Sequence, residues 1–158
     1  MYFKTEDILE KQQLVKIRNR LLFLKNDYPQ FYDWFNNKVI TEVQSSKRRV
    51  ILASTRLNDF AGVLILKNTT AEKKICTLYV SQEIRNKKLG SLFFDIAFEK
   101  LETDKPLITV SDDHIREFDK LLKKYKFVLS ETIDGYYRSK ISEYSYNGHL
   151  YVPKILIA

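Results

Sequence analysis

The chain has 158 residues, of which 44% are hydrophobic and 30% charged, with 10 Tyr, 10 Phe and a formal net charge of +7. That length suits one domain with its own core, burying roughly 70% of its unfolded surface, and no apolar run approaches the roughly 18 residues that span a bilayer. Met1-Tyr-Phe-Lys-Thr-Glu-Asp7 lacks the basic start and apolar middle of a secretory leader, so a cytoplasmic location is expected; the lone Cys76 excludes an intrachain disulfide, and with His114 and His149 far apart no metal site is expected.

Met1 to Lys4 reads as a short first strand. Apolar positions Ile8, Leu9, Leu14, Val15, Ile17, Leu21, Leu22 and Leu24 predict a first helix from about Thr5 to Lys25, with Thr5 as its cap. Pro29 interrupts, and the ring-rich Phe31-Tyr-Asp-Trp-Phe35 begins a second helix running to about Glu42. Arg49–Ser54 and Phe60–Leu66 are apolar, partly β-branched and joined through Asn58-Asp59, the pattern of an antiparallel hairpin. A second turn over Asn68–Glu72 leads into another strand, Lys74–Val80, so a three-stranded meander is expected.

After a short polar turn comes the basic loop Arg85-Asn-Lys-Lys-Leu-Gly-Ser91. Leu92, Phe93, Ile96, Ala97 and Leu101 then follow at helical spacing. A loop that closes on glycine and opens a helix leaves backbone N–H groups without intrahelical partners beside the positive end of the helix dipole, which is a phosphate site. The dipole contributes only roughly 0.3 to 1 kcal/mol per anion at a surface, so Arg85, Lys87 and Lys88 are needed to hold a diphosphate. Leu78-Tyr79-Val80, the polar spacer, Arg85 and Gly90 together resemble motif A of the GCN5-related N-acetyltransferases (GNAT). In that family a strand ending in Val precedes Gln or Arg, two residues, Gly, one residue, then Gly or Ala. Lys88 stands where the first glycine is usual.

Pro106 marks the exit from this helix before a strand at Leu107–Val110, and a strand–helix–strand crossover makes its two strands parallel. Ser111-Asp112-Asp113 offers caps for a helix from His114 to Tyr125, which stands in the place of the family's motif B. Its end, Leu122-Lys-Lys-Tyr-Lys-Phe127, puts Leu122 where many members carry the tyrosine that protonates the leaving thiolate, and Tyr125 lies three residues away. Strands over 128–133, 136–146 and 149–157 are expected next, joined by hairpin turns at Asp134-Gly135 and Asn147-Gly148, with Pro153 marking an edge.

The resemblance implies a single α/β (α+β) domain over 1–158. Its sheet would be central, mixed and mostly antiparallel, with one splayed parallel pair and about four flanking helices. It implies acetyl-CoA as cofactor, its pantetheine paired to the backbone of Leu78, Tyr79 and Val80. The diphosphate would lie on the amides of Arg85, Asn86, Lys87, Lys88, Leu89, Gly90 and Ser91. The implied reaction is direct attack by an amine from a small molecule, a peptide or a protein lysine. Trp34 is the candidate acceptor-side ring, and Asp113 and His114 are the candidate catalytic residues, though each reads equally as a turn residue or a cap. Two alternatives stand beside this reading: acetylation of aminoacyl-tRNA recruited by the basic surface, or a non-catalytic acyl-CoA-binding domain. No membrane partner is expected, and the sequence leaves monomer and homodimer open.

Overall fold

Lys4–Asp7 (β1) lies antiparallel to Arg48–Ser54 (β2), with Thr5 opposite Ala53. The segment expected to cap the first helix is therefore an edge strand. The reason is backbone satisfaction: the ladder, continued by Ile8 N–H donating to Val50 O at 2.8 Å, uses amides that a helix start would leave open. The structure, a computed structural model, describes residues 1–150, and the chain divides into two units, Met1–Pro106 and Leu107–Ala158.

In the first unit, β2 pairs antiparallel with Gly62–Asn68 (β3), which pairs antiparallel with Lys73–Val80 (β4). This is the expected meander. Along β4 the register slips: Ile65 faces Thr77 but Leu66 faces Ile75, so Cys76 is the extra residue of a bulge.

Helix α1 spans Lys11–Arg20 and buries Leu14 and Ile17; a 3-10 turn at Leu22–Asn26 replaces the helical end expected at Lys25. The second helical segment runs from α2 (Phe31–Trp34) through a π-turn at Phe35–Val39 into α3 (Ile40–Gln44). Phe31, Phe35, Val39 and Val43 recur every four residues and are all buried. In an ideal α-helix such a row drifts about 40° per step, and the wider π-turn brings it back over the core. That core joins these side chains to Leu14, Ile17, Val50, Val63 and Ile65 on one face of the sheet.

Helix α4, Leu89–Leu101, packs on β3 and β4 and buries Leu89, Phe93, Phe94, Ala97 and Leu101. Its first turn lies against Gly62, where a Cβ would sit 2.6 Å from Tyr79 O and 2.9 Å from both Leu89 Cδ2 and Phe93 Cε2. Position 62 admits no side chain without moving α4.

The second unit contains β5 (Leu107–Ser111), α5 (Ile115–Lys124), β6 (Leu129–Asp134) and β7 (Ser142–Tyr146). β7 pairs antiparallel with both other strands. The two-residue hairpin expected at Asp134-Gly135 is instead a loop over 135–141, and the strand expected from Tyr136 begins at Ser142. The loop closes on itself: Gly135 N–H donates to Ile141 O at 3.0 Å, and Arg138 Nη1 meets Asp113 Oδ2 at 2.9 Å. The Tyr136 and Tyr137 rings meet edge to face at 4.6 Å, packing locally instead of along a ladder. Asn147 adopts φ 63° in the turn expected there. The strand expected over 149–157 lies, from 151 onward, outside the described residues. Among those described, no helix is long and apolar enough to cross a membrane.

Candidate functional site

The end of β4 sets the direction of the chain's open backbone groups. Ser81 N–H donates to Ala61 O at 2.9 Å, which extends the β3 register by one residue. By alternation, the backbone of Tyr79 points towards β3, while the N–H and C=O groups of Leu78 and Val80 point away from it. Ser81 Oγ is buried and has no hydrogen-bond partner among the described residues.

A single 3-10 turn, Gln82–Ile84, then plugs the chain down through Ile84, and Arg85 N–H donates to Gln82 O at 3.3 Å. Two left-handed residues follow, Asn86 at φ 65° and Lys88 at φ 70°. Asparagine tolerates this conformation; lysine adopts it at a cost of roughly 1–2 kcal/mol. Lys88 thus takes the backbone shape natural to the glycine usual in the resembled motif. Lys88 is also the N-terminal cap residue of α4, without a side-chain capping bond, and Leu89, 1% exposed, anchors the turn to the core. Among the described residues, the amides of Asn86, Lys87, Lys88, Leu89 and Gly90 donate to no acceptor. Arg85, Asn86, Lys87 and Lys88 are all exposed, and Lys87 and Lys88 form no ion pair among the described residues. The arrangement is a cationic cradle of open N–H groups at a helix start, which is chemistry for a phosphate or diphosphate.

Sequence reasoning missed the rings beside this strand end. Tyr79 packs its ring against Phe23 at 5.2 Å and Phe60 at 6.1 Å, and the Arg20 guanidinium lies over Phe60 at 4.5 Å. The i, i+3 spacing of Arg20 and Phe23 is the one signal in the sequence that places those two together. Trp34 belongs to another cluster, near the bulge. Its ring packs on Phe31 and Phe35 and carries the Arg48 guanidinium at 5.3 Å. Arg48, 6% exposed, donates Nε to Glu42 Oε2 at 2.7 Å and Nη1 to Cys76 Sγ at 3.1 Å.

Asp113 and His114 stand together at the start of α5, whose N-cap position is His114 without a side-chain capping bond. Neither aspartate acts as the expected cap. Asp113 pairs with Arg138, and Asp112 Oδ1 accepts the Tyr144 hydroxyl at 2.7 Å; His114 Nδ1 lies 3.6 Å from Glu117 Oε1. The bond to Asp112 holds the Tyr144 phenol above its ordinary pKa. Leu122 is buried, and the Tyr125 ring carries Lys124 Nζ at 5.1 Å.

No family model matches the sequence, and no curated protein matches it. Solved structures do. A protein from Desulfovibrio desulfuricans described as an acetyltransferase of the GNAT family is 12% identical, with a TM-score of 0.72 over 92% of this chain and 97% of that one. NAA60 of Arabidopsis thaliana, in complex with a bisubstrate analogue, is 13% identical, with a TM-score of 0.69 over 92% and 96%. Spermidine N-acetyltransferase of Vibrio cholerae, in complex with CoA and spermine, is 12% identical, with a TM-score of 0.66 over 91% and 93%. The chain has the fold of the GNAT acetyltransferases, and the likeness extends through both units.

Proposed function

We propose that the chain, acting as one domain, is an acetyl-CoA-dependent N-acetyltransferase. The observation that supports it most is the left-handed turn Asn86–Lys88 between β4 and α4, which leaves five successive amides open beside three cationic side chains. These residues fit a coenzyme A diphosphate, because the amides supply directed donors and Arg85, Lys87 and Lys88 supply charge. Leu78 and Val80, whose backbone groups point away from β3, are assigned to the pantetheine arm; Tyr79 contributes its ring instead. The GNAT-fold acetyltransferases reported above, one of them with CoA bound, support the same reading.

Acetyl-CoA supplies an activated acyl group as a thioester. The chain's part is to hold that group beside an amine, and such proximity contributes on the order of 7 to 11 kcal/mol to the barrier. The amine nitrogen forms the new C–N bond, the C–S bond breaks, and the thiolate leaves to be protonated. A strand N–H aimed at the carbonyl oxygen stabilises the charge that develops there. Asp113 and His114 are assigned as the residues that take the proton lost by the amine.

Thermal unfolding with and without acetyl-CoA tests the binding step, since a ligand bound only by the folded state raises the midpoint. Thiol release with added amine tests turnover. Gly90→Glu, which sets a carboxylate in the first turn of α4, should abolish the acetyl-CoA shift and leave the circular dichroism spectrum unchanged. No shift for the wild-type chain at acetyl-CoA well above micromolar would reject the proposal.

A further inference from the structure

The wall beside the end of β4 carries chemistry that the cofactor loop does not use. Tyr79 lies two residues before Ser81, and its ring is packed between Phe23 and Phe60 on the face that α1 covers. Phe23 is 46% exposed, an unusual position for a ring that contacts a core strand. The Arg20 guanidinium lies over the Phe60 ring at 4.5 Å and, among the described residues, makes no hydrogen bond or ion pair. A guanidinium held over a ring without a hydrogen-bond partner keeps its N–H fork open, and that fork matches a carboxylate with two parallel bonds. Arg20 ends α1 and Phe23 lies in the 3-10 turn that follows, and the two are joined through ring contacts, Arg20 on Phe60, Phe60 on Tyr79 and Tyr79 on Phe23.

Resting on the acetyltransferase reading, we propose that the acceptor is an amine that also bears a carboxylate and an apolar body, the chemistry of a hydrophobic α-amino acid. Phe23 and Tyr79 cover the apolar body, Arg20 takes the carboxylate, and the amine is left to attack the thioester. The product is the N-acetyl amino acid with free coenzyme A thiol. A polyamine would instead set further ammonium groups against Arg20, where like charges repel. An α-amine also titrates lower than a lysine side chain, so a larger fraction is free to attack near neutral pH.

The test compares L-phenylalanine, phenethylamine and spermidine as acceptors by thiol release. Phenethylamine keeps the ring and amine of phenylalanine and lacks only its carboxylate. Phenylalanine should be preferred over phenethylamine by roughly tenfold or more in kcat/KM, the scale of a hydrogen bond to a charged group. Arg20→Gln should erase that preference through KM, with kcat within about twofold, and Arg20→Lys should restore part of it. The acetyl-CoA thermal shift should be unchanged in both variants. The inference is overturned if phenethylamine or spermidine is used as well as phenylalanine, if phenylalanine is not acetylated, or if Arg20→Gln keeps the preference. Loss of the acetyl-CoA shift in the wild-type chain sinks the parent reading; a retained shift with thiol release to another amine sinks this inference alone.

Discussion

Gly62 and Leu89 touch because position 62 has no side chain: a Cβ there would lie 2.9 Å from Leu89 Cδ2. Leu89 is the first residue of α4, and the amides proposed to hold a diphosphate lie immediately before and after it. The seating of the loop thus depends on a glycine far away in sequence, on β3.

Gly62→Ala should therefore weaken coenzyme A binding without touching the loop. The added methyl meets the Tyr79 carbonyl as well as Leu89 and Phe93, so α4 must shift, and overpacking of this kind costs about 1–3 kcal/mol. Denaturant unfolding should report that loss, and titration calorimetry should show a raised Kd for coenzyme A. Wild-type affinity in a destabilised variant would mean that the loop does not depend on this contact.

Lys88→Gly should stabilise the fold. The residue sits at φ 70°, where glycine is unstrained, although glycine's greater freedom in the unfolded chain offsets part of the gain. A net rise of about 0.5–1 kcal/mol is expected in chemical denaturation. Lys88→Ala, which loses the charge but keeps the strain, should show no such rise. The pair of variants thereby separates backbone conformation from charge in any change of coenzyme A affinity.

Arg48→Ala should be among the more damaging single changes in the first unit. It leaves Glu42 at 22% side-chain exposure without its partner and removes the cation from the Trp34 face. Breaking a buried pair costs about 3–5 kcal/mol, and the partial exposure of Glu42 lowers the expectation to about 2–3 kcal/mol. Equilibrium urea unfolding measures it. Because Arg48 is no part of the loop proposed to hold the cofactor, the acetyl-CoA shift of the folded variant should persist.

Tyr144 gives the second unit an alkaline limit. Its phenol, held above its ordinary value first by the bond to Asp112 and then by desolvation, favours the protonated form in the folded state. That contribution is complete below the unfolded value of about 10 and is lost as the pH rises through the higher folded value. Stability measured between about pH 9 and pH 11.5 should fall with pH in the wild type, and less steeply in Tyr144→Phe. Identical slopes would remove Tyr144 from the account.

The meander and the strand–loop–helix at its end were legible in the sequence. β-branched runs, Asn-Asp turns and a basic loop before a helical period are local signals, and local signals survive without knowledge of neighbours. The first helix was misplaced because Thr5-Glu-Asp7 satisfies a capping pattern and a strand equally well, and only its pairing with β2 decides between them. Asp134-Gly135 failed as a hairpin for a related reason: the loop beyond it is held by Arg138 reaching Asp113, a contact between residues 25 positions apart.

By itself the sequence determined the chemistry of the basic loop at 85–91: which residues carry charge, where a glycine opens the helix, and the order of elements around it. Tertiary structure alone decided that Asn86 and Lys88 turn left-handed, that Tyr79 gathers Phe23, Phe60 and Arg20, and that Trp34 is tied to Arg48. Charge and turn chemistry belong to single residues and their neighbours along the chain. The ring clusters join residues well separated along the chain, from Trp34 and Arg48 to Phe23 and Tyr79, and the packed core sets which of them meet.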